Sequence, residues 1–366
     1  MYFEPKDFPT CFSLALLACV AWGSWSNALK ASSSAGVSFR DFYVAYCIGT
    51  FAFSMIAFVA FGKSQSFYCE DQSSWSSSRA RSSASAAVGA GAVFNVANVL
   101  LTLGVKYGGL SLAFPVGIGT ALVLGTISTY ALDPAGNNPA YLFSGVSLAA
   151  VAVCVSAYAA HTKESSNRKV EATEEVLLAP NLAGNNIDTS TKVRTKFVRR
   201  FVLCAAAGVC MSFWSPLNAL ALADTDKGCD DDDENLGKLT AYSAFVFFCS
   251  GVVLVGLPIC FVVLPRLPSE EKDEATTPPT RLVVRATYGL VGGAIWSLGT
   301  LSNSLAGMHL GLALSYAVGQ AAPMVATTWG LLYYREYRGA PMKSFVCLLV
   351  MYLLFLGAIG LIAMSK

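Results

Sequence analysis

Ten apolar stretches, at 10–29, 42–62, 84–105, 110–132, 140–160, 200–222, 240–264, 283–307, 312–334 and 344–364, leave this chain of 366 residues little choice of fold. Each is close to or longer than the ~20 residues a helix needs to cross the hydrocarbon of a bilayer. Lipid offers no partner to backbone N–H and C=O groups, so segments of this length must close their hydrogen bonds internally, as helices. Composition agrees: 54% of residues are hydrophobic and 13% charged, against roughly a quarter charged in a soluble domain. The expected fold is an all-α integral membrane protein of ten transmembrane helices. Gly, Ser, Asn and Pro inside several segments mark helices that pack closely on one another.

The polar stretch 161–199 divides the chain into a five-segment unit at 1–160 and a second at 200–366. With Arg200 it holds eight Lys/Arg and four Glu among Asn, Ser and Thr, and it reads as a disordered linker. The two units repeat one another. At an offset of 202, Gly91-Ala92-Val93-Phe94 aligns with Gly293-Ala294-Ile295-Trp296, and the run Gly109 to Gly117 with Gly311 to Gly319. At an offset of 191, Ser24 to Leu29 aligns with Ser215 to Leu220. Five is an odd number, so the copies must lie upside down to one another: a 5+5 inverted repeat, the architecture of alternating-access carriers.

Placing the N-terminus outside puts 18 of the 25 Lys/Arg in cytoplasmic loops, so both termini are expected to be non-cytoplasmic and the central linker cytoplasmic. The loop with Arg79 and Arg81 runs against this assignment. A plasma-membrane setting is expected ahead of an internal membrane, and the N-terminus, with Glu4, Lys6 and Asp7, lacks the basic start of a cleaved signal peptide. The acidic run Asp230 to Glu234 then lies outside as a solvated loop. Most cysteines sit in apolar runs as small core residues; Cys69 and Cys229 share a side in polar loops, where a disulfide between them is left open.

A carrier of this architecture binds its substrate near the midplane between the repeats, where polar side chains cost free energy unless they face a cavity. Trp22 and Trp25 lie three apart beside Ser26 and Asn27 on the first segment. Asn95 and Asn98 share a face of the third, and their counterparts Ser297 and Thr300 share one on the eighth. Trp214 on the sixth, Trp296 on the eighth, and Tyr316 and Gln320 on the ninth complete the candidate substrate-binding set. The bland alternatives are amide and hydroxyl glue between helices for the polar residues and interface anchoring for the tryptophans.

Several classes are excluded or disfavoured. Net charge is +2 without an aromatic-interleaved basic surface, which excludes nucleic acid. Two histidines, His161 and His309, and the absence of catalytic or metal-ligating motifs disfavour an enzyme, a metal or a cofactor. Gly62-Lys63-Ser64 lacks the earlier glycine of a phosphate-binding loop. Charged residues such as Lys30, Asp41, Lys106, Asp133, Asp224, Arg335 and Glu336 stand at segment ends, so an anionic substrate would find no buried cation. The expected partners are a small neutral solute and the lipid bilayer. Asp41, Asp133 and Glu336 are the carboxylates left for coupling to protons.

Trp22-Gly23-Ser24-Trp25-Ser26-Asn27, Asp41-Phe42-Tyr43 with Tyr46 and Ile48-Gly49, Ala113 to Gly119, and Ser315 to Pro323 resemble the drug/metabolite transporter superfamily, and within it the ureide permease and glucose/rhamnose permease branches. The resemblance implies helices one to four and six to nine around a central cavity, with five and ten peripheral. It also implies proton-coupled movement of ureides and nucleobases on one branch and monosaccharides on the other. The phosphate-loop motif that ureide permeases carry in their central loop is missing here. The expected function is therefore a permease for a ureide- or nucleobase-type heterocycle. A monosaccharide permease is the alternative, and a membrane receptor or scaffold without transport is the second.

Overall fold

The structure, a computed structural model, describes residues 3, 5–62, 78–108, 114–132, 134, 136–178, 189–222, 238–264 and 282–366. Cys69, Cys229, Asp133, Asp224, the acidic run 230–234, residues 63–64 and the repeat motif at 109–113 lie outside them. The described residues are helical apart from turns and one isolated bridge between Leu222 and Leu239. In chain order the helices are α1 Phe8–Ser24, α2 Ser26–Ser34, α3 Phe39–Phe61, α4 Ser78–Gly108, α5 Gly119–Leu132, α6 Pro139–Leu178, α7 Thr189–Ala221, α8 Ala241–Pro258, α9 Leu282–Leu310, α10 Leu312–Gly319, α11 Ala322–Thr328 and α12 Met342–Ala363. π-helical turns precede α5 and follow α8 and α11.

Among the described residues, seven helical stretches are long and apolar enough to cross a membrane: Phe8–Ser34, Phe39–Phe61, Ser78–Gly104, Pro139–Lys163, Arg200–Ala221, Ala241–Val263 and Met342–Ala363. The other three expected segments are helical where described but fall short. Val116–Leu132 is shorter, α9 carries Arg285 among several Gly and Ser residues, and 312–333 is broken in the middle. The linker also differs from expectation, since α6 runs on to Leu178 and α7 begins at Thr189. Its Glu, Lys, Arg and Ala residues are good helix formers. The helices are started by local chemistry. Asp7 caps α1, accepting from the Thr10 N–H at 2.9 Å and its hydroxyl at 2.7 Å, and Ser38 and Thr240 cap α3 and α8 in the same way.

Two helix lines are interrupted. The chain turns at Trp25 between α1 and α2, and at Gln320–Ala321 between α10 and α11, where Pro323 in the first turn of α11 needs no N–H.

Packing is closest where glycine lets backbones touch. A Cβ at Gly91 of α4 would lie 1.8 Å from the Phe248 carbonyl oxygen of α8, and one at Gly251 of α8 2.0 Å from that of Val88. On the other side, a Cβ at Gly49 of α3 would lie 2.7 Å from the Leu290 carbonyl oxygen, and one at Gly293 of α9 2.4 Å from that of Tyr46. Further main pairings are α4 with α7, α1 with α9, α5 with α7, and α10 and α11 with α1. α6 and α12 pack chiefly on each other at the periphery. Outward residues such as Ile56, Val59, Leu254, Leu349 and Leu353 are apolar and exposed, as a lipid-facing surface requires. Six of the nine cysteines in apolar runs are buried; Cys154 is exposed, and Cys210 and Cys347 are half-buried.

The α4–α8 crossing is open to a direct check. Gly91→Ala is expected to lower the melting temperature of the detergent-solubilised protein by the equivalent of about 1–3 kcal/mol of overpacking or more. Gly89→Ala, whose methyl meets nothing within 4 Å, should leave it unchanged or raised. Equal melting of the two variants would contradict the crossing.

Candidate functional site

Both interruptions border one cavity of about 160 Å³. Trp22, Trp25 and Ser26 reach it from the α1–α2 break, Gln320 and Pro323 from the α10–α11 break, Phe94 and Asn98 from α4, Met211 and Trp214 from α7 and Trp296 from α9. The wall is mostly aromatic. Phe94 stacks on Trp296 with centroids 4.4 Å apart, Trp296 stacks on Phe248 at 5.9 Å, and Trp214 meets Trp22, Phe94 and Tyr316 edge-on at 6.0, 6.3 and 5.7 Å. Rings so interlocked hold one another rigid, each pair contributing about 0.5–1.5 kcal/mol beyond area burial.

Of the ten sequence-predicted site residues, Trp22, Trp25, Asn98, Trp214, Trp296 and Gln320 line this cavity. The other four do not; they stand behind its wall. Asn95, fully buried, donates from Nδ2 to the Val252 carbonyl and accepts at Oδ1 from the Tyr43 hydroxyl. Thr300 accepts from the Trp22 indole N–H at 3.1 Å and donates to the Trp296 carbonyl at 3.1 Å. Tyr316 donates to the Ala121 carbonyl at 3.1 Å. The Ser297 hydroxyl is buried without a hydrogen-bond partner.

Sequence reasoning missed Tyr43, Tyr46 and Phe94. Tyr43 accepts from Asn98 Nδ2 at 3.1 Å and stacks on Tyr46 at 5.4 Å, which in turn touches Trp25 at 5.3 Å. A signal existed for each. Tyr43 and Tyr46 are three apart, hence on one helix face, and Phe94 aligns with Trp296 in the internal repeat.

A second cavity, of about 430 Å³, shares Trp25, Ser26, Asn98, Leu101, Pro323 and Ala326 with the first and extends to Lys30, Tyr334 and Glu336. There Lys30 pairs with Glu336 and sits 3.5 Å above the Tyr334 ring. No charged side chain lines the smaller cavity among the described residues. The described residues also hold no group of three or more metal-ligating side chains. Tight aromatic faces with a few amides suit a flat, neutral, hydrogen-bonding molecule better than an ion.

Comparison with known proteins finds similarity to permeases. The ureide permease family model matches residues 187–365, just under half of the chain. Ureide permease 1 of Arabidopsis thaliana is 25% identical over 389 residues, covering 96% of this chain and 95% of that protein. Ureide permease 2 of the same plant is 25% identical over 402 residues, covering 96% of each. A probable ureide permease A3 of Vigna unguiculata is 24% identical over 307 residues, covering 71% and 77%. The chain is thus an integral membrane protein similar to ureide permeases over nearly its whole length.

Thr300 offers a test of the wall. Thr300→Val keeps the shape but strands the Trp22 N–H, and a buried donor left unpaired costs about 1–3 kcal/mol. Thr300→Val is expected to melt lower than Thr300→Ser by a corresponding margin; equal melting would remove the Trp22–Thr300 bond from the account.

Proposed function

We propose that this protein is a carrier of the ureide permease family that moves a small neutral heterocycle of the ureide or nucleobase type across a membrane by alternating access. The observation that carries the proposal is the aromatic, charge-free cavity of about 160 Å³ with the Asn98 and Gln320 amides in its wall. A cavity of about 150 Å³ in a protein core accepts one benzene ring, so this one suits a monocyclic solute. The relatives are ureide permeases, which does not favour the sugar alternative. A receptor without transport is the reading left if no solute moves.

The mechanism proposed is rocking of two inverted five-helix halves within a ten-helix drug/metabolite transporter fold. Three features support it. Exchanging the halves turns the α4–α7 pairing into α9–α1, α3–α9 into α8–α4, and α5–α7 into α10 and α11 with α1, and all of these pairings occur. The glycines of the two crossings, Gly49 with Gly251 and Gly91 with Gly293, are related by the offset of 202 found in the sequence. Phe94 stacks on Trp296, its own counterpart; equivalent residues of two related halves can touch only beside the axis that relates them, so this contact supports an axis near the cavity.

In this reading the remaining site residues, Asn95, Ser297, Thr300 and Tyr316, support the wall and do not touch the solute. The larger cavity is the open vestibule. Lys30 and Glu336 follow the first and ninth segments, cytoplasmic by the Lys/Arg bias, so the protein faces inward, in a plasma membrane, with both termini outside. Glu336 is the carboxylate proposed for coupling to protons, because it stands where solvent and vestibule meet.

Uptake of radiolabelled uracil, allantoin and glucose into proteoliposomes, with and without an inward proton gradient, tests this. Uptake of uracil or allantoin that rises with the gradient and falls at least tenfold in Asn98→Ala is the expected result. Glucose uptake alone would establish the sugar alternative, and uptake of none would favour the receptor.

A further inference from the structure

Two side chains behind the cavity and one in its wall form a relay whose direction is dictated by an atom that can only accept. The Val252 carbonyl oxygen of α8 faces Asn95 at 2.5 Å. A carbonyl has no proton to give, so the Asn95 atom beside it must be Nδ2, and Oδ1 must be the atom beside Tyr43. An amide oxygen also only accepts, so the Tyr43 hydroxyl gives its single proton to Asn95, across 2.5 Å. With that proton committed, the Tyr43 oxygen is an acceptor toward Asn98, 3.1 Å away, and the Asn98 atom facing it must be Nδ2. Oδ1 of Asn98 is then the atom turned away from Tyr43 on a residue that lines the cavity. The orientation of an amide is ordinarily a matter of assignment; here a backbone carbonyl two residues away decides it.

Resting on the carrier reading above, we infer that Tyr43 is a positioning residue for substrate selection: it locks Asn98 with its oxygen toward the cavity, so that the site accepts solutes presenting an N–H donor in the plane of their ring. Tyr43 does not line the cavity and acts only through Asn98. The lock is rigid because Tyr43 is buried, stacked on Tyr46 and packed against Phe39, and because the second Asn95 Nδ2 proton has the Cys47 sulfur at 3.9 Å. Gln320 on the other wall is different in kind. Its amide makes no side-chain hydrogen bond among the described residues, so it can turn to offer a donor or an acceptor. One fixed acceptor and one adaptable amide match the edge of a cyclic ureide or imide, in which N–H and C=O alternate. A ring methylated at the nitrogen facing Asn98 would place a methyl group against an unsatisfied oxygen. Sites built to bond a donor reject the analogue lacking it far more strongly than apolar pockets reject a missing methylene.

Equilibrium binding of hydantoin, 1-methylhydantoin and 3-methylhydantoin to the purified full-length protein, followed by tryptophan emission, tests the inference. Trp22, Trp25, Trp214 and Trp296 all line the cavity, so occupancy should change the signal. In the wild-type protein one N-methyl isomer is expected to bind at least tenfold more weakly than hydantoin. In Tyr43→Phe the Asn98 amide is free to turn over, and that ratio should shrink to threefold or less. A merely structural role for Tyr43 would weaken all three ligands alike and leave the ratio intact, which would overturn the inference while the carrier reading stood. Asn98→Ala, which spares the Tyr43–Asn95–Val252 bonds between helices, provides the same readout should Tyr43→Phe fail to fold; a preserved ratio there would equally overturn the inference. Absence of binding by all three to the wild-type protein, together with absence of uracil and allantoin uptake, would remove both readings.

Discussion

Everything in this protein hangs on how closely its helices can approach. Between helices in lipid there is no water to expel, so association rests on van der Waals contact and a few hydrogen bonds, and contact is greatest where no side chain intervenes. Gly91 and Gly251 let α4 and α8 meet carbonyl to Cα, and Gly49 and Gly293 do the same for α3 and α9. α8 thereby packs against both α3 and α4, and Tyr43 and the Val252 carbonyl bracket Asn95. Between α4 and α9 the contact is made by aromatic side chains, with Phe94 lying on Trp296. Without the glycines the helices would stand apart by the width of a side chain, and neither the relay nor the stacked pair could form.

The site that results is rigid and uncharged. Its rings brace one another, and the indole N–H of Trp22 and the amide of Asn95 are committed to partners behind the wall. Few polar atoms are left for a ligand. An ion entering such a space would lose its hydration without compensation, whereas a flat neutral ring gains stacking on its faces and keeps hydrogen bonds at its edge. The charged pair Lys30–Glu336 stays at the far end of the larger cavity. The break at Gln320–Ala321 places Gln320 at the cavity, in keeping with the rule that non-helical backbone at membrane depth occurs where it lines a cavity, while Trp25 at the join of α1 and α2 keeps helical backbone angles.

Much of this was legible in the sequence, because spanning lipid demands long apolar runs and each marked run is mostly helical where it is described. Pro323 signalled the break before α11, but nothing comparable announces the turn at Trp25, which has no proline or glycine next to it. The polar linker was read as irregular from its charge. Its Glu, Lys and Ala residues instead carry α6 to Leu178 and start α7 at Thr189. For the site, three-residue spacing correctly put Asn95 and Asn98 on one face, yet spacing cannot say which of two such residues reaches the cavity and which is buried against the neighbouring helix. Tyr43 escaped notice because it stands at the start of its apolar run, where a tyrosine usually marks the membrane interface. Only its burial and its bonds to Asn95 and Asn98 show it to be interior.

The central claim is that the aromatic cavity is a carrier site reached from both sides of the membrane in turn. Counterflow tests it without reference to any driving ion. Proteoliposomes preloaded with unlabelled allantoin or uracil and diluted into a trace of the same labelled compound should accumulate label transiently above equilibrium, while glucose-loaded vesicles should not. The overshoot should vanish when Trp296 is replaced by alanine in protein that still elutes as a folded species. Equilibration without overshoot for every heterocycle tested, or an overshoot that survives loss of Trp296, would contradict the account.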